Sequence, residues 1–370
     1  MKVIIDARFW GPTHTGLGVY TKQFVLALAE IDQINQYVLL LRQEVLAEIN
    51  LPANFKKVVC NLKPYSLKEQ LILPIILGRL KPDLVHFTSI NVPIFYFGKY
   101  LVTVHDLIKH QFTGKEMTTR QQSIYWLKQF GYLAVFRVIC KLAKLILVPS
   151  QSVKSELVKF YPFTANKISV TYEAATLTQF KSVVSNLAQY NLPPKFCVYT
   201  GNPYPHKNLA RLIKAWPAVY TATSQQLVLV CGRSVFSQRI NKLVKQQNAE
   251  QFVKFVGYVR DQDLLAVYRQ ASAYIFPTLA EGFGLPGLDA MLVGLPVACS
   301  DIPVLREVYG PAAVYFNPRD TVDMAAKITE LISNQVLRTK VIDFGFIQAA
   351  RYSWLTCAQE TLRLYQLLAK

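Results

Sequence analysis

Glu281-Gly-Phe-Gly-Leu-Pro-Gly-Leu-Asp289 sets two carboxylates eight positions apart, with three glycines and one proline between them. The preceding Ala273-Tyr-Ile-Phe-Pro277 reads as a short buried strand, and Leu288-Asp-Ala-Met-Leu-Val293 reads as the start of a helix. A strand, a glycine-rich turn and a helix with Pro286 in its first turn make a platform for an anion. Unpaired N–H groups and the positive end of the helix dipole face the ligand, and the glycines let the backbone come close. Glu281 stands before the turn and Asp289 about one turn into the helix. One carboxylate is thus set for a ligand's polar head and the other for hydroxyls further along. An ordinary strand–loop–helix corner, with glycines that serve packing, is the competing reading of these nine residues.

Working outward, strand-like and helix-like segments alternate along all 370 residues, which points to an α/β architecture with parallel sheets. The spacing predicts strands at Lys2–Asp6, Tyr37–Leu41, Lys57–Cys60, Leu84–Phe87, Leu101–Val104, Leu145–Val148 and Ile168–Val170. Helical patterns fill many of the gaps, notably Val19–Ala29, Lys68–Leu80 and Gln151–Phe160. The alternation breaks at Thr176–Pro194 and restarts at Phe196–Tyr199, followed by Gln226–Val230, Val253–Phe255, Tyr274–Phe276 and Pro296–Cys299. This predicts two doubly wound domains, residues 1–180 and 181–350. A last helix, in residues 351–370, is long enough to return toward the first domain.

Apolar residues make up 52% of the chain and mean hydropathy is +0.21, which excludes disorder and suits parallel strands buried on both faces. Met1-Lys-Val-Ile-Ile-Asp6 is too short and too soon charged for a signal peptide, and no uncharged apolar run is long enough to span a bilayer. The six cysteines are scattered without CxxC or metal-ligand spacing, so they read as reduced core thiols of a cytoplasmic protein. Net charge is +18, of which +11 lies in residues 1–190. Met117 to Ser155 holds no acidic residue but contains Arg120, Lys128, Arg137, Lys141, Lys144 and Lys154. Aromatic and aliphatic residues alternate with these cations between Ile124 and Leu145, as in a basic amphipathic helix on an anionic membrane face; a core helix with a solvated basic side is the alternative. No nucleic-acid module accompanies the charge.

Ligands of open parallel sheets sit at the carboxyl ends of strands, and four further stretches stand there. Asp6-Ala-Arg-Phe-Trp-Gly-Pro-Thr-His-Thr-Gly-Leu-Gly-Val-Tyr20 leads from the first strand into a helix, where Gly16 and Gly18 leave room for a ligand. Thr103-Val-His-Asp106 closes another strand and presents His105. Thr200-Gly-Asn-Pro-Tyr-Pro-His-Lys-Asn208 opens the second domain, with Lys207 set to neutralise phosphate. Val230-Cys-Gly-Arg233 ends the next strand with a second cation.

Together these stretches resemble family 4 of the glycosyltransferases, the retaining nucleotide-sugar enzymes with the two-Rossmann GT-B fold. Thr15-Gly-Leu-Gly-Val-Tyr20, Tyr199-Thr-Gly-Asn-Pro-Tyr-Pro-His-Lys-Asn-Leu209 and Pro277-Thr-Leu-Ala-Glu-Gly-Phe-Gly-Leu-Pro286 carry the likeness, with Ser300-Asp-Ile-Pro-Val-Leu-Arg-Glu-Val308 and Tyr352-Ser-Trp354. Within the family they look most like bacterial mannosyltransferases of polysaccharide and glycolipid assembly. The resemblance implies a nucleotide-sugar donor, GDP-mannose by analogy, and a saccharide or lipid-linked saccharide acceptor. It implies His105, Lys207 and Glu281 as catalytic residues. Gly16, Gly18, Asn202, Arg233, Phe283, Gly284, Leu285 and Asp289 are implied to bind the donor, with Glu281 on the sugar, Asp289 on the ribose and Val256-Gly-Tyr-Val259 near the base. Two positions depart from the family. Asp289 stands where Glu is usual, and Asn202 stands where Arg is common, so that Arg233 is the candidate substitute cation. No cofactor or metal is expected, since the one Asp-x-Asp, Asp261-Gln-Asp263, reads as the N-cap and first-turn acid of a helix.

Overall fold

A computed structural model describes residues 1–11, 14–118, 121–177 and 187–369. The chain divides into two units: Met1–His110, Gln121–Glu173 and Ser353–Lys370 form the first, and Gln111–Arg120 with Ala174–Tyr352 the second. The expected boundary at 180/181 falls outside the described residues, as does Arg120 of the basic stretch.

In the first unit the elements are β1 (Lys2–Asp6), α1 (Thr15–Ile31), β2 (Gln36–Leu41), β3 (Phe55–Val59), α2 (Leu67–Leu80), β4 (Leu84–Phe87), β5 (Tyr100–Thr103), α3 (Ile108–Gln111), α4 (Gln122–Leu142), β6 (Leu145–Val148), α5 (Gln151–Phe160) and β7 (Ile168–Val170). Their strands form one parallel sheet in the order β3-β2-β1-β4-β5-β6-β7. Val3, Ile4, Ile5, Leu39 and Leu40 are sealed from solvent because helices cover both faces, whereas edge strand β3 exposes Lys56 and Lys57. Serine caps start two of the helices: Ser66 Oγ accepts from Glu69 N, and Ser150 Oγ from Val153 N.

The second unit runs β8 (Phe196–Thr200), α6 (Leu209–Thr223), β9 (Gln226–Val230), α7 (Val235–Gln246), β10 (Val253–Phe255), α8 (Asp261–Gln270), β11 (Tyr274–Phe276), α9 (Leu285–Leu292), β12 (Val297–Ser300), α10 (Pro303–Tyr309), β13 (Ala313–Phe316), α11 (Thr321–Ser333) and α12 (Gln335–Ala350). Its parallel sheet has the order β10-β9-β8-β11-β12-β13. The last helix, α13 (Trp354–Ala369), belongs to the first unit, where Tyr365 Oη lies 2.5 Å from His86 Nδ1. Each strand order reverses direction once, between β1 and β4 and between β8 and β11. The crevice beyond the carboxyl ends at such a switch point is where this fold class binds ligands. All six cysteines are buried and unpaired.

Candidate functional site

The opening stretch lies at the β8/β11 switch. Because these strands are neighbours, the loops that follow them are stitched together. Asn208 Nδ2 donates to Pro277 O (3.0 Å) and Pro318 O (2.7 Å), and Leu279 N donates to His206 O (2.7 Å). The stitching brings Lys207 Nζ onto Glu281 Oε1 as a largely buried ion pair, with Lys207 also 5.5 Å from the centre of the Phe276 ring. Burial, with Lys207 next to it, pulls His206 down to about 3, so His206 stays neutral and Lys207 supplies the cation. Asn208 was not among the expected site residues; its signal was the left-handed position (φ 60°) that asparagine tolerates at a helix start.

Gly284 (φ 95°) caps α9 without a side-chain hydrogen bond, Pro286 occupies its first turn, and that turn holds no acid. Pro286 carries no N–H and Gly287 N donates to Gly284 O (3.2 Å), so the Leu285 N–H and the positive end of the helix dipole are what face an anion here. The glycines here are required by packing. Tyr309 Oη donates to Gly284 O, and a Cβ on Gly287 would stand 2.2 Å from Tyr309 Oη. Tyr309, fully buried, thus forms the floor under the turn. The Phe283 ring is 3% exposed and meets Tyr352 edge-on at 5.3 Å, so its side chain belongs to the core. Leu285 is half-buried at the helix start.

Asp289 is buried, and its Oδ1 accepts from Thr176 N (2.6 Å) and Leu177 N (2.9 Å). Burial drives its carboxyl up from 3.8 to about 6, against the pull of those two N–H groups. A raised carboxyl pKa means that ionisation costs stability in the folded state. The stability this group contributes is present below pH 3.8 and is lost as pH rises through about 6. Asp289→Asn keeps an acceptor oxygen and removes the charge. Relative to wild type it is expected to gain about 2–3 kcal/mol above pH 7 and nothing near pH 4, measured by urea unfolding across that range. A difference that does not change with pH would refute the assignment of that cost to Asp289.

Asn202 is half-buried, its carbonyl accepting from Tyr204 N, and Arg233 is exposed in the loop after β9. Tyr258, in the stretch expected near a base, is 63% exposed. The reading of Asp261 as an N-cap is corrected: Arg260 holds that place, and Asp263 Oδ2 is taken up by Arg260 Nε (2.8 Å) and Tyr190 Oη (2.7 Å). Arg260 extends before the helix and can reach back to the first-turn acid, which makes this carboxylate a local clasp. Among the described residues no group of three His, Cys, Asp or Glu is arranged to hold a metal.

In the first unit, Gly16 meets nothing within 4 Å, whereas a Cβ on Gly18 would lie 1.9 Å from Gly11 O. The space that Gly18 leaves is therefore filled by the protein's own backbone, which corrects its reading as room for a ligand. His105 follows β5 and is bonded through both ring nitrogens, Nδ1 to Glu173 Oε1 (3.0 Å) and Nε2 to Thr88 O (2.9 Å), with the Tyr20 ring edge-on at 4.6 Å. Glu173 has no sequence signal, because a lone glutamate after a strand carries no pattern.

A family model described as glycosyl transferases group 1 matches residues 187–346, and one described as glycosyltransferase family 4 matches residues 15–177. The chain is 30% identical over 233 residues to O-antigen chain mannosyltransferase B of Escherichia coli, an alignment covering 61% of each protein. It is 27% identical over 337 residues to the O-antigen chain mannosyltransferase RfbU of Salmonella typhimurium, covering 86% of this chain and 87% of that one. The match to the first of these thus spans less than two thirds of its length. Among solved structures, sucrose-phosphate synthase from Thermosynechococcus elongatus shares the fold with a TM-score of 0.77 at 21% identity, over 99% of this chain and 98% of that one. With one model on each sheet's stretch of sequence and the GT-B fold in common, the chain belongs to the glycosyltransferases of group 1 and family 4.

Proposed function

We propose that the protein transfers mannose from GDP-mannose, with retention at the anomeric carbon, to a saccharide or lipid-linked saccharide acceptor in cell-surface glycan synthesis. The observation that carries this reading is the Lys207–Glu281 pair beside the uncapped, acid-free start of α9. Breaking the bond between the anomeric carbon and phosphate sends its electron pair to the leaving diphosphate, and Lys207, with the Leu285 N–H at the start of α9, stabilises that charge. The acceptor oxygen forms the new bond on the same face, and a phosphate oxygen takes its proton. Lys207 exchanges Glu281 for phosphate as the donor binds, freeing Glu281 to orient the sugar hydroxyls. Asp289 Oδ2, whose contact is the Thr176 hydroxyl at 3.4 Å, is the oxygen offered to the ribose. The same positive groups make a divalent cation unnecessary in this reading, so activity is expected to survive a chelator.

The alternatives are a UDP-sugar transferase of the same family, an epimerase and a binding protein without turnover. A panel of nucleotide sugars, read by donor hydrolysis and thermal shift, separates them. GDP-mannose selected and hydrolysed supports the proposal, a UDP-sugar selected moves it to the first alternative, acceptor-free epimerisation to the second, and binding without turnover to the third.

Peripheral contact of the first unit with an anionic membrane on the cytoplasmic side is part of the proposal. No described helix is long and apolar enough to cross a bilayer. On α4, Leu127 is 74% and Phe130 75% exposed, and α2 exposes Leu67, Leu71 and Ile75 along one stripe. Lys109 Nζ lies over the rings of both Tyr65 (5.6 Å) and Tyr132 (5.2 Å), so the entry to α2 and the middle of α4 are neighbours. Reversing Arg137, Lys141 and Lys144 to Glu is expected to lower partition onto phosphatidylglycerol vesicles about 100-fold, at about 1 kcal/mol per cation. Equal sedimentation of variant and wild type with those vesicles would exclude this surface.

A further inference from the structure

One face of α12 packs onto the second unit, and the opposite face meets only solvent. Val341, Gly345 and Gln348 are turned inward. A Cβ on Gly345 would stand 3.4 Å from the Met291 Cβ of α9, and Gln348 Nε2 donates to Val308 O (2.7 Å). Turned outward are Val336, Lys340, Asp343, Ile347 and Ala350, at alternating steps of four and three residues. This spacing keeps a single seam on one side of a helix, as in helices that pack along a second helix. Val336 is 81% exposed and Ile347 64%. Isolated apolar residues on a surface need no explanation, but these two stand at opposite ends of one feature. Val336, Lys340, Asp343 and Ile347, with Thr339 and Phe344, line an open groove of about 540 Å³.

The charged middle of the seam decides what can cover it. Among the described residues neither Lys340 nor Asp343 forms an ion pair, and Lys340 Nζ lies 6.0 Å from the centre of the Phe344 ring. A cation placed before an acid is the weaker orientation for a pair along one helix. A covering helix must offer an acid to Lys340, a cation to Asp343 and apolar side chains at both ends. Reversed in direction, α12 itself does so. A two-fold axis level with the Val341–Ile342 bond sets Val336 of one copy against Ile347 of the other. The same axis sets Lys340 against Asp343 and Thr339 against Phe344, each twice. At a net charge of +18, two copies repel each other over most of their surface. A seam whose charges cancel is where they can approach. The flanking cations are engaged by the chain's own oxygens, Arg338 with Ser272 O and Arg351 with Gln348 Oε1 (3.2 Å).

We infer that α12 is a self-association surface, on which a second copy of this chain seats its own α12 antiparallel. The inference goes beyond the proposed transfer and does not rest on it. From Val336 to Ile347 the seam runs about 17 Å and is roughly 10 Å wide. That falls well short of the ~800 Å² per partner of a lasting interface. The dimer is therefore transient, with a Kd on the order of 10–100 µM.

Sedimentation velocity of the full chain between about 5 and 300 µM reads the dimer fraction. Wild type is expected to pass from mostly monomer to mostly dimer. Lys340→Asp makes the seam uniformly acidic and Asp343→Lys makes it uniformly basic. Each turns two attractive pairs into repulsive ones and is expected to weaken self-association about 10-fold or more. Mixed in equal amounts, the two variants should dimerise at least as well as wild type, because each meets the opposite charge. Both positions are exposed, so melting temperatures should match wild type. Direction is read by cross-linking, since the native cysteines are all buried. Under a mild oxidant, Val336→Cys mixed with Ile347→Cys should form a disulfide-linked dimer, and neither should do so alone. Wild type that stays monomeric overturns the inference; loss of its retention on phosphatidylglycerol vesicles in Val336→Asp would then name a membrane as the occupant. Single charge variants that dimerise like wild type place the contact elsewhere and overturn it too. Failure of the charge mixture to dimerise, or self-cross-linking of Val336→Cys, overturns the antiparallel seating.

Discussion

Lys207→Ala is expected to lower GDP-mannose turnover by 10²–10³-fold, the loss of about 3–4 kcal/mol that follows removal of a preorganised group from a developing anion. Lys207 stands in the loop after β8 and pairs with Glu281 in the loop after β11, so it joins both loops of the β8/β11 switch. It reaches Glu281 while Asn208, next to it, ties its loop to Pro277 and Pro318. The effect should fall mainly on kcat, since the charge it meets grows as the bond breaks. Arg233, exposed beyond β9, is not expected to compensate. The Lys207–Glu281 pair adds a second signature. Each residue is the other's partner before the donor arrives, so the losses in Lys207→Ala, Glu281→Ala and the double variant should fall short of additive. Wild-type turnover in Lys207→Ala would remove the diphosphate role.

Gly287→Ala is expected to destabilise the second unit by about 3 kcal/mol or more, the upper part of the range for overpacking a dense core. The added Cβ would lie 2.2 Å from Tyr309 Oη and 2.4 Å from its Cζ, and Tyr309 is fully buried with its hydroxyl bonded to Gly284 O. Neither the ring nor the turn can retreat without breaking that bond or shifting the start of α9. A melting temperature lower by about 6–12 °C should result, with weaker donor binding because the same turn carries the anion-facing Leu285 N–H. Adding Tyr309→Leu, which clears the contact, should recover part of the loss relative to the sum of the single changes. Gly16→Ala is the contrast: nothing stands within 4 Å of its missing side chain, so the melting temperature should hardly change. If both glycine variants melt alike, the Tyr309 floor is not what demands glycine at 287.

Much of the fold is legible in the sequence itself. Continuous apolar runs such as Val3-Ile-Ile5 and Tyr199 with its neighbours could only be strands covered on both faces, and Pro286 after a glycine-rich turn could only open a helix. These are local properties, set by backbone sterics and by which faces must be hidden from water. Strand boundaries moved by a residue or two, as when Lys57–Cys60 became Phe55–Val59, because edge-strand limits depend on the partner strand's register, while α1 begins at Thr15, four residues before the expected Val19. Residue roles were less legible where the deciding contact was distant. Gly18 looked like room for a ligand until Gly11 O occupied it, and the Phe283 ring packs in the core against Tyr352.

Sequence alone determined the strand–turn–helix grammar, the family likeness, the positions of Lys207, Glu281 and His105 in loops that follow strands, and that of Asp289 in the helix after the turn. Only the tertiary structure decided what each of them touches. Lys207 and Glu281 are 74 positions apart and meet because β8 and β11 are neighbours in the sheet. Asp289 is claimed by the backbone of Thr176 and Leu177, 113 and 112 positions away. Glu173 reaches His105 across 68 positions. A side chain's protonation and its freedom to bind are set by desolvation and by partners within a few ångströms. Those partners are brought by strand order, which a linear pattern of apolar and polar residues does not record.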